Sequence, residues 1–367
     1  MTAVPPRDPL PYSPAFEIPE ADESRVAGEI VRTMRAIAET VARDARRAFR
    51  PVHAKSHGFV IGQFEVLDGL APPWAQGLFA HPGRWPVVMR WSTTPGDLLP
   101  DRVSTPRGIA FKVIGVPGER VAGSEEDVTQ DFVMVNGRVF PAPGAAGFAK
   151  KLKLLAATTN RAPGLKSVLS AALRGLESLL AKTGHESSAL KVLGGHPATH
   201  ILGETFFSQV PLLYGRYMAK FSLAPASGSL KALTGARIDL HHDDAIREAV
   251  SAHFAGQGGE WELRAQLCTS LDRMPIEDAS VEWPESESPF VPVARIRADP
   301  QTTWSPRLVA MVDEGMSFTP WHAIAAHRPL GSVMRVRKVA YDAAAKFRAE
   351  RNGVRITEPR MLPSIED

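Results

Sequence analysis

A chain of 367 residues with 44% hydrophobic and 23% charged positions has the make-up of an ordinary globular protein, large enough for one big domain or two of common size. Its formal charge of +3 is small for this length, so a sequence pI near 9.0 does not by itself argue for a nucleic-acid partner. One cysteine, Cys268, excludes an intrachain disulfide framework and a cysteine-based zinc cluster. No run approaches the roughly eighteen apolar residues of a membrane span, and prolines stand where a signal peptide needs an apolar core, so the expected setting is the cytoplasm.

In chain order, residues 1–22 are Pro-rich and predict an extended N-terminal arm wrapped on something else. From 23 to 49, Val26, Ile30, Met34, Ile37, Val41 and Ala45 recur at helical spacing, with Arg32, Arg35, Arg43 and Arg46 between them. This is a long amphipathic helix; its arginines suit a solvated face as well as an acidic partner. It delivers the chain to RPVHAKSHGFVIGQFEV, in which His53 stands just before a strand-like run.

Eight such runs follow, at 59–66, 86–93, 108–114, 131–140, 200–210, 216–224, 261–269 and 290–297. Several alternate cleanly: Trp261, Leu263, Ala265 and Leu267 share one face, while Glu262, Arg264 and Gln266 share the other. Most neighbours lack a crossover helix. The fold class predicted is α+β, an antiparallel eight-stranded β-barrel core with flanking helices. A helical insertion is expected at about 146–190, and helix again over 306–352 with a break at Thr319–Pro320. Residues 23–352 read as a single domain and 353–367 as a tail.

The chemistry has three candidate sources. His53, with Arg50 three residues before it, is placed as a general base would be, at the end of a rigid element. The same placing suits a satisfied structural histidine. Arg337, Tyr341 and Arg348, at offsets of four and seven, lie on one helical face. A phenol between two guanidiniums is in a field that favours its anion, and that anion is a good hard ligand for ferric iron. An amphipathic helix with its tyrosine on the core fits the spacing too. Of Tyr12, Tyr214, Tyr217 and Tyr341, only Tyr341 has arginines at both offsets. In VVMRWST, period two places Arg90 and Ser92 on one face and Met89 and Trp91 on the other. An arginine pointing into a sheet interior demands an anion. Arg107 heads the next strand.

Taken together the segments resemble the catalase family. VHAKSHGFVIGQFEV is similar to its distal-histidine motif, RWST and TPRGIAFKV to the next two strands, and DFVMVNGRVFPAPGAAGF to the strand bearing the distal asparagine. VEWPESESPFVPVARI resembles a late strand, and Arg337, Tyr341 and Arg348 match the proximal pattern. The likeness runs in order over roughly 50–348, with 150–195 matching poorly. It implies a catalase-like fold, haem b as cofactor, His53 as distal acid/base with Ser92 behind it, and Tyr341 as the iron ligand kept ionised by Arg337. It puts Arg50, Arg90 and Arg348 on the haem propionates, Phe148 against the porphyrin, and Val52 before the distal histidine.

Three departures bear on function. An ungapped alignment lays Val135, not Asn136, on the distal asparagine; Asn136 is the catalytic candidate if a bulge brings it to the pocket. The chain is short for the family, and the threading arm is unrecognisable. These features resemble the compact catalase-related peroxidases. The expected function is therefore a haem peroxidase reducing hydrogen peroxide or organic hydroperoxides with an organic reductant and weak catalase activity. The expected form is a monomer or homodimer with no nucleic-acid partner and no membrane span. Alternatives are a lipid-hydroperoxide enzyme of the allene-oxide-synthase type and a non-catalytic haem carrier. The run His241, His242, Asp243, Asp244 reads as a helix start, and His196 with His200, or His322 with His327, lack the geometry of a shared metal.

Overall fold

The computed structural model describes residues 8–158 and 197–362. Strands β1 (Lys55–Val66), β2 (Gly83–Thr93), β3 (Arg107–Ile114) and β4 (Thr129–Val135) pair as antiparallel neighbours. Strands β7 (Tyr217–Pro225), β8 (Gly259–Leu267) and β9 (Val291–Ala298) do likewise. β9 joins β1, and the two-residue β5 (Phe206–Phe207) bridges β4 and β7, which closes an eight-stranded antiparallel barrel. A further strand, β6 (Leu212–Tyr214), is a hairpin partner of β7, turned by Gly215 at φ 60.

The eight ring strands fall on the eight predicted runs, with two corrections. The run 200–210 pairs only at Phe206–Phe207, because a 3-10 turn at Ile201–Gly203 and Gln209 at φ 62 break the extended backbone. The run 131–140 leaves the ladder after Val135, and the Gln209 side chain takes up the Gly137 and Val139 carbonyls instead. β6 was not expected.

Inward side chains fill the ring. Trp91 and Trp261 meet at 5.5 Å, Phe111 stacks on Phe132 at 4.8 Å, and Phe79, Tyr214 and Phe221 close one end around His327. Each such side chain stabilises the fold by about 1.5–3 kcal/mol through burial. The barrel is a packed core, so a ligand has to bind outside it.

Helix α1 (Glu23–Ala45) buries Val26, Ile30, Met34, Ile37 and Val41 as the spacing predicts, but Ala45 is exposed and Ala42 is buried in its place. It ends at Arg46 (φ 57), short of residue 49. Helices α2 (Ala145–Thr158) and α4 (Ser332–Asn352) pack against it through Ala145, Ala149, Leu152, Val336 and Ala340. The rest of the predicted insertion lies outside the described residues. Helix α3 (Ala245–Phe254) packs on the barrel through Ile246, Val250 and Phe254. The helical stretch expected at 306–352 is α4 preceded by a π-helical turn, Val309–Glu314, whose Leu308, Val312, Met316 and Phe318 surroundings cover the outer face of β1–β4. The N-terminal arm wraps on its own chain. Leu10 and Tyr12 donate to the Cys268 and Arg216 carbonyls at 2.8 Å, and Phe16 packs into the same cluster.

Candidate functional site

The functional side chains gather on the outer wall formed by β1–β4. Met89 and Trp91 point into the filled barrel, and Arg90 and Ser92 point outward. Arg90 therefore does not enter the sheet interior. It meets its anion outside, with Nε 2.8 Å from Asp313.

His53 lies in the turn between α1 and β1 at φ 55, a left-handed conformation that costs an L-residue about 1–3 kcal/mol and survives only where its surroundings enforce it. Three contacts do so. Arg90 Nη2 donates to the His53 carbonyl at 2.9 Å, Ser92 Oγ lies 3.2 Å from ring Nδ1, and the imidazole lies across Gly108. A Cβ at 108 would stand 2.5 Å from His53 Cε1, so only glycine leaves the ring its place. Burial, then the Arg90 and Arg337 cations, push the imidazole down to a pKa of about 3. His53 is therefore neutral at ordinary pH and can accept a proton.

Register fixes what else faces the ring. Ser56 pairs with Ser92, Ser92 with Gly108, and Gly108 with Val135, a row running directly across four strands. Asn136 is outside that row. Its backbone N–H donates to the Arg107 carbonyl at 3.0 Å, its Oδ1 accepts from Arg107 N at 3.1 Å, and its Nδ2 donates to Glu204. Asn136 follows the last residue of β4 and is bonded to Arg107 and Glu204, while Val135 is the residue in register with Gly108.

On α4, Arg337 Nη2 donates to Tyr341 Oη at 2.7 Å, with the guanidinium carbon 5.2 Å from the ring centre. The offset of four brings the pair together as the helical spacing predicts. Val52, beside His53, and Phe148 of α2 pack on one apolar cluster with Val336 and Ala340 of α4. Phe148 also meets Phe140 edge-on at 5.2 Å. The chain neighbours of the two candidates, Val52 and Ala340, thus share one apolar cluster, and Arg337 is close enough to act on the His53 charge.

Arg50, Arg90 and Arg348 also converge. Arg50 and Arg90 both grip Asp313 Oδ1, while Arg348 donates to the carbonyls of Asp313, Glu314 and Met316 at 2.7, 2.7 and 2.8 Å. Glu314 itself pairs with Arg47. Two guanidiniums thus meet one carboxylate while the third binds the carbonyls beside it, so the cluster carries an excess of two positive charges. Burial pushes the Asp313 carboxyl up, but Arg90, Arg50 and the Ser56 hydroxyl outweigh it and hold the group well below the usual range. Burial and the neighbouring Arg90 and Arg348 charges push Arg50 far down from its ordinary value.

Other candidates do not gather into a site. His241 is exposed, and Asp243 and Asp244 pair with Arg102 and Arg247. Among the described residues Asp131, His322 and Glu358 have metal-ligand spacing, but Lys112 Nζ sits among them, 2.7 Å from Asp131 and 3.1 Å from His322. Asp313, Gly108 and Ser56 were missed by sequence reasoning. Gly108 alone left a signal, as the glycine of the TPRGIAFK segment.

No family model matches the chain. It is 26% identical to catalase of Sus scrofa over 261 residues, 67% of this chain and 46% of that protein, so it spans about half the length of the curated relative it matches. Similar solved structures are a fungal catalase (TM-score 0.58, 17% identity, covering 90% of this chain and 70% of that one) and a bacterial catalase (0.56, 16%, 85% and 60%). A third is catalase A of Saccharomyces cerevisiae (0.56, 19%, 85% and 63%). The barrel and its flanking helices thus have the fold of the catalases, and the sequence is similar to that of one of them.

Proposed function

We propose that the chain is a compact haem-dependent peroxidase that reduces hydrogen peroxide or organic hydroperoxides. His53 is the distal acid/base, and Tyr341 is the iron ligand. The observation that carries this reading is that the Arg337–Tyr341 pair lies close enough for Arg337 to act on the charge of His53, itself beside Ser92, with Val52 and Ala340 in one apolar cluster next to them. Haem b suits the donors present. Its flat faces match Val52 and Phe148, its iron a phenol oxygen that already accepts from a guanidinium, and its two propionates the excess charge on Arg50, Arg90 and Arg348. When bound, it supplies the redox chemistry of O–O cleavage.

The residues do the rest. With Nδ1–H given to Ser92, the other ring nitrogen of His53 can take the hydroperoxide proton and return it to the departing oxygen. The net change, ROOH plus two protons and two electrons to ROH and water, draws its electrons from an organic reductant. Arg337 donates to the Tyr341 oxygen and orients it. Val135 on the His53 face offers no second hydrogen bond to a peroxide. That favours organic hydroperoxides and makes the protein a poor disproportionator of hydrogen peroxide. No helix among the described residues is long and apolar enough to cross a membrane.

An absorption spectrum of the hemin-loaded protein and of Tyr341→Phe tests the proposal. The wild type should show a Soret band that changes on adding cumene hydroperoxide, and the variant should lose or shift that band. An identical spectrum in the variant would remove Tyr341 as ligand, and failure to take up hemin would end the haem reading.

A further inference from the structure

Asp313 belongs to no motif, yet it is tied to the His53 turn from three directions. Its Oδ1 accepts from Arg50, three residues before His53, and from Arg90 Nε at 2.8 Å. Its Oδ2 accepts from Ser56 Oγ, three residues after His53, at 2.7 Å. Arg90 in turn donates to the His53 carbonyl at 2.9 Å. One carboxylate therefore holds both ends of the turn, and through Arg90 its middle.

The carboxylate is itself held by the π-helical turn Val309–Glu314. That turn closes with Gly315 N donating to Ala310 O at 2.9 Å, and a Cβ at 315 would stand 2.8 Å from the Met311 carbonyl. Widening of the turn leaves the carbonyls of 313 and 316 to accept from Arg50, at 2.9 and 3.1 Å. The left-handed backbone at His53 is an unfavourable conformation for an imidazole-bearing residue, and these contacts supply what keeps it there.

We propose that Asp313 is the positioning residue of the acid–base histidine: it clamps Arg50, Ser56 and Arg90 around the left-handed turn that lays the His53 imidazole across Gly108. The inference rests on the peroxidase reading, and on nothing in the substrate. Asp313 does not touch the reacting atoms. Its effect reaches them only through His53.

The test uses the hemin-loaded protein with Asp313→Ala, His53→Ala and the double variant. Two rates are read from the Soret band: association of cyanide, which arrives as HCN and must give up its proton, and reaction with cumene hydroperoxide. Asp313→Ala should keep one hemin per chain and lose both rates by at least about tenfold, since misplacement by about 1 Å costs about 100-fold. In the His53→Ala background, adding Asp313→Ala should cost nothing further, because the two act as one unit. If Asp313→Ala does not fold, the isosteric Asp313→Asn serves. It keeps an acceptor for Arg90 but loses the charge, and should lose both rates by about 3-fold or more. Wild-type rates in a folded, hemin-loaded variant would overturn the inference, as would a further tenfold loss in the double variant. A wild type that takes up no hemin refutes the haem reading instead, so the two failures are told apart.

Discussion

Gly108→Ala asks whether the imidazole is where catalysis needs it. The added Cβ would stand 2.5 Å from His53 Cε1 and 2.8 Å from Nδ1, with the Met134 carbonyl at 3.2 Å. Carbon atoms pack at about 3.5–4.0 Å, so the ring must retreat by about 1 Å. The strands behind it are fixed by the barrel ladder, and the ring is the part that can move. A displacement of about 1 Å costs about 100-fold in rate, or about 2.7 kcal/mol of transition-state stabilisation. The atoms nearest a Cβ at 108 belong to His53 and Met134, so hemin uptake and the Soret position should stay those of the wild type. The assay is stopped-flow reaction with cumene hydroperoxide under pseudo-first-order conditions, with a thermal melt as the control for folding. A folded, hemin-loaded Gly108→Ala variant that reacts at the wild-type rate would show that His53 is not the acid–base group held over β3.

Val135→Asn would add an amide to the row that faces His53. One net hydrogen bond of about 0.5–1.5 kcal/mol predicts that hydrogen peroxide turnover, relative to cumene hydroperoxide, rises about 2–10-fold; an unchanged ratio would mean that position 135 does not meet the peroxide. Stability should fall as pH drops from about 6.5 toward 4. His53, His200 and His327 are lowered to about 3, 4 and 4, each chiefly by burial, so the unfolded chain binds more protons throughout that window. Asp313, held below its ordinary range, adds its loss only at lower pH. A urea midpoint that does not move between pH 7.5 and 5 would contradict these shifts.

What could be read in the sequence was whatever repeats locally. The alternation of Trp261, Leu263, Ala265 and Leu267 is a property of a few consecutive residues, and it survives in β8 with all four side chains buried. The pairing of Arg337 with Tyr341 needs only a helix, and the sharing of a face by Arg90 and Ser92 only a strand. Asp313 was invisible because nothing local marks it: its partners lie 223 to 263 positions away, and its own neighbours read as an ordinary helical run. The choice between Val135 and Asn136 turned on a single residue of register at the end of β4, where the ladder stops and the side chain of Asn136 replaces the next rung. The run 200–210 read as a strand because its composition is right; the left-handed Gln209 that ends it is not a residue from which a positive φ is expected.

The position of Tyr341 depends on how α4 is held, and the anchors lie on either side of it. Seven residues beyond, Arg348 is bound to the carbonyls of 313, 314 and 316 on the barrel wall. Six residues before, Arg335 meets Glu17, Glu23 and Glu277 at 2.9, 2.8 and 2.9 Å, which ties the start of α4 to the N-terminal arm, to α1 and to the loop after β8. Both are arginines, whose fork of donors can engage several acceptors at once without losing a proton. One end of the helix is thus fixed to the element that carries Asp313, and Asp313 fixes the His53 turn. The other end is fixed by the arm, whose packing on its own barrel has no other evident purpose. A barrel too full to hold a ligand still serves this site, because its rigid outer wall is the common reference from which the histidine turn and the tyrosine helix are both hung.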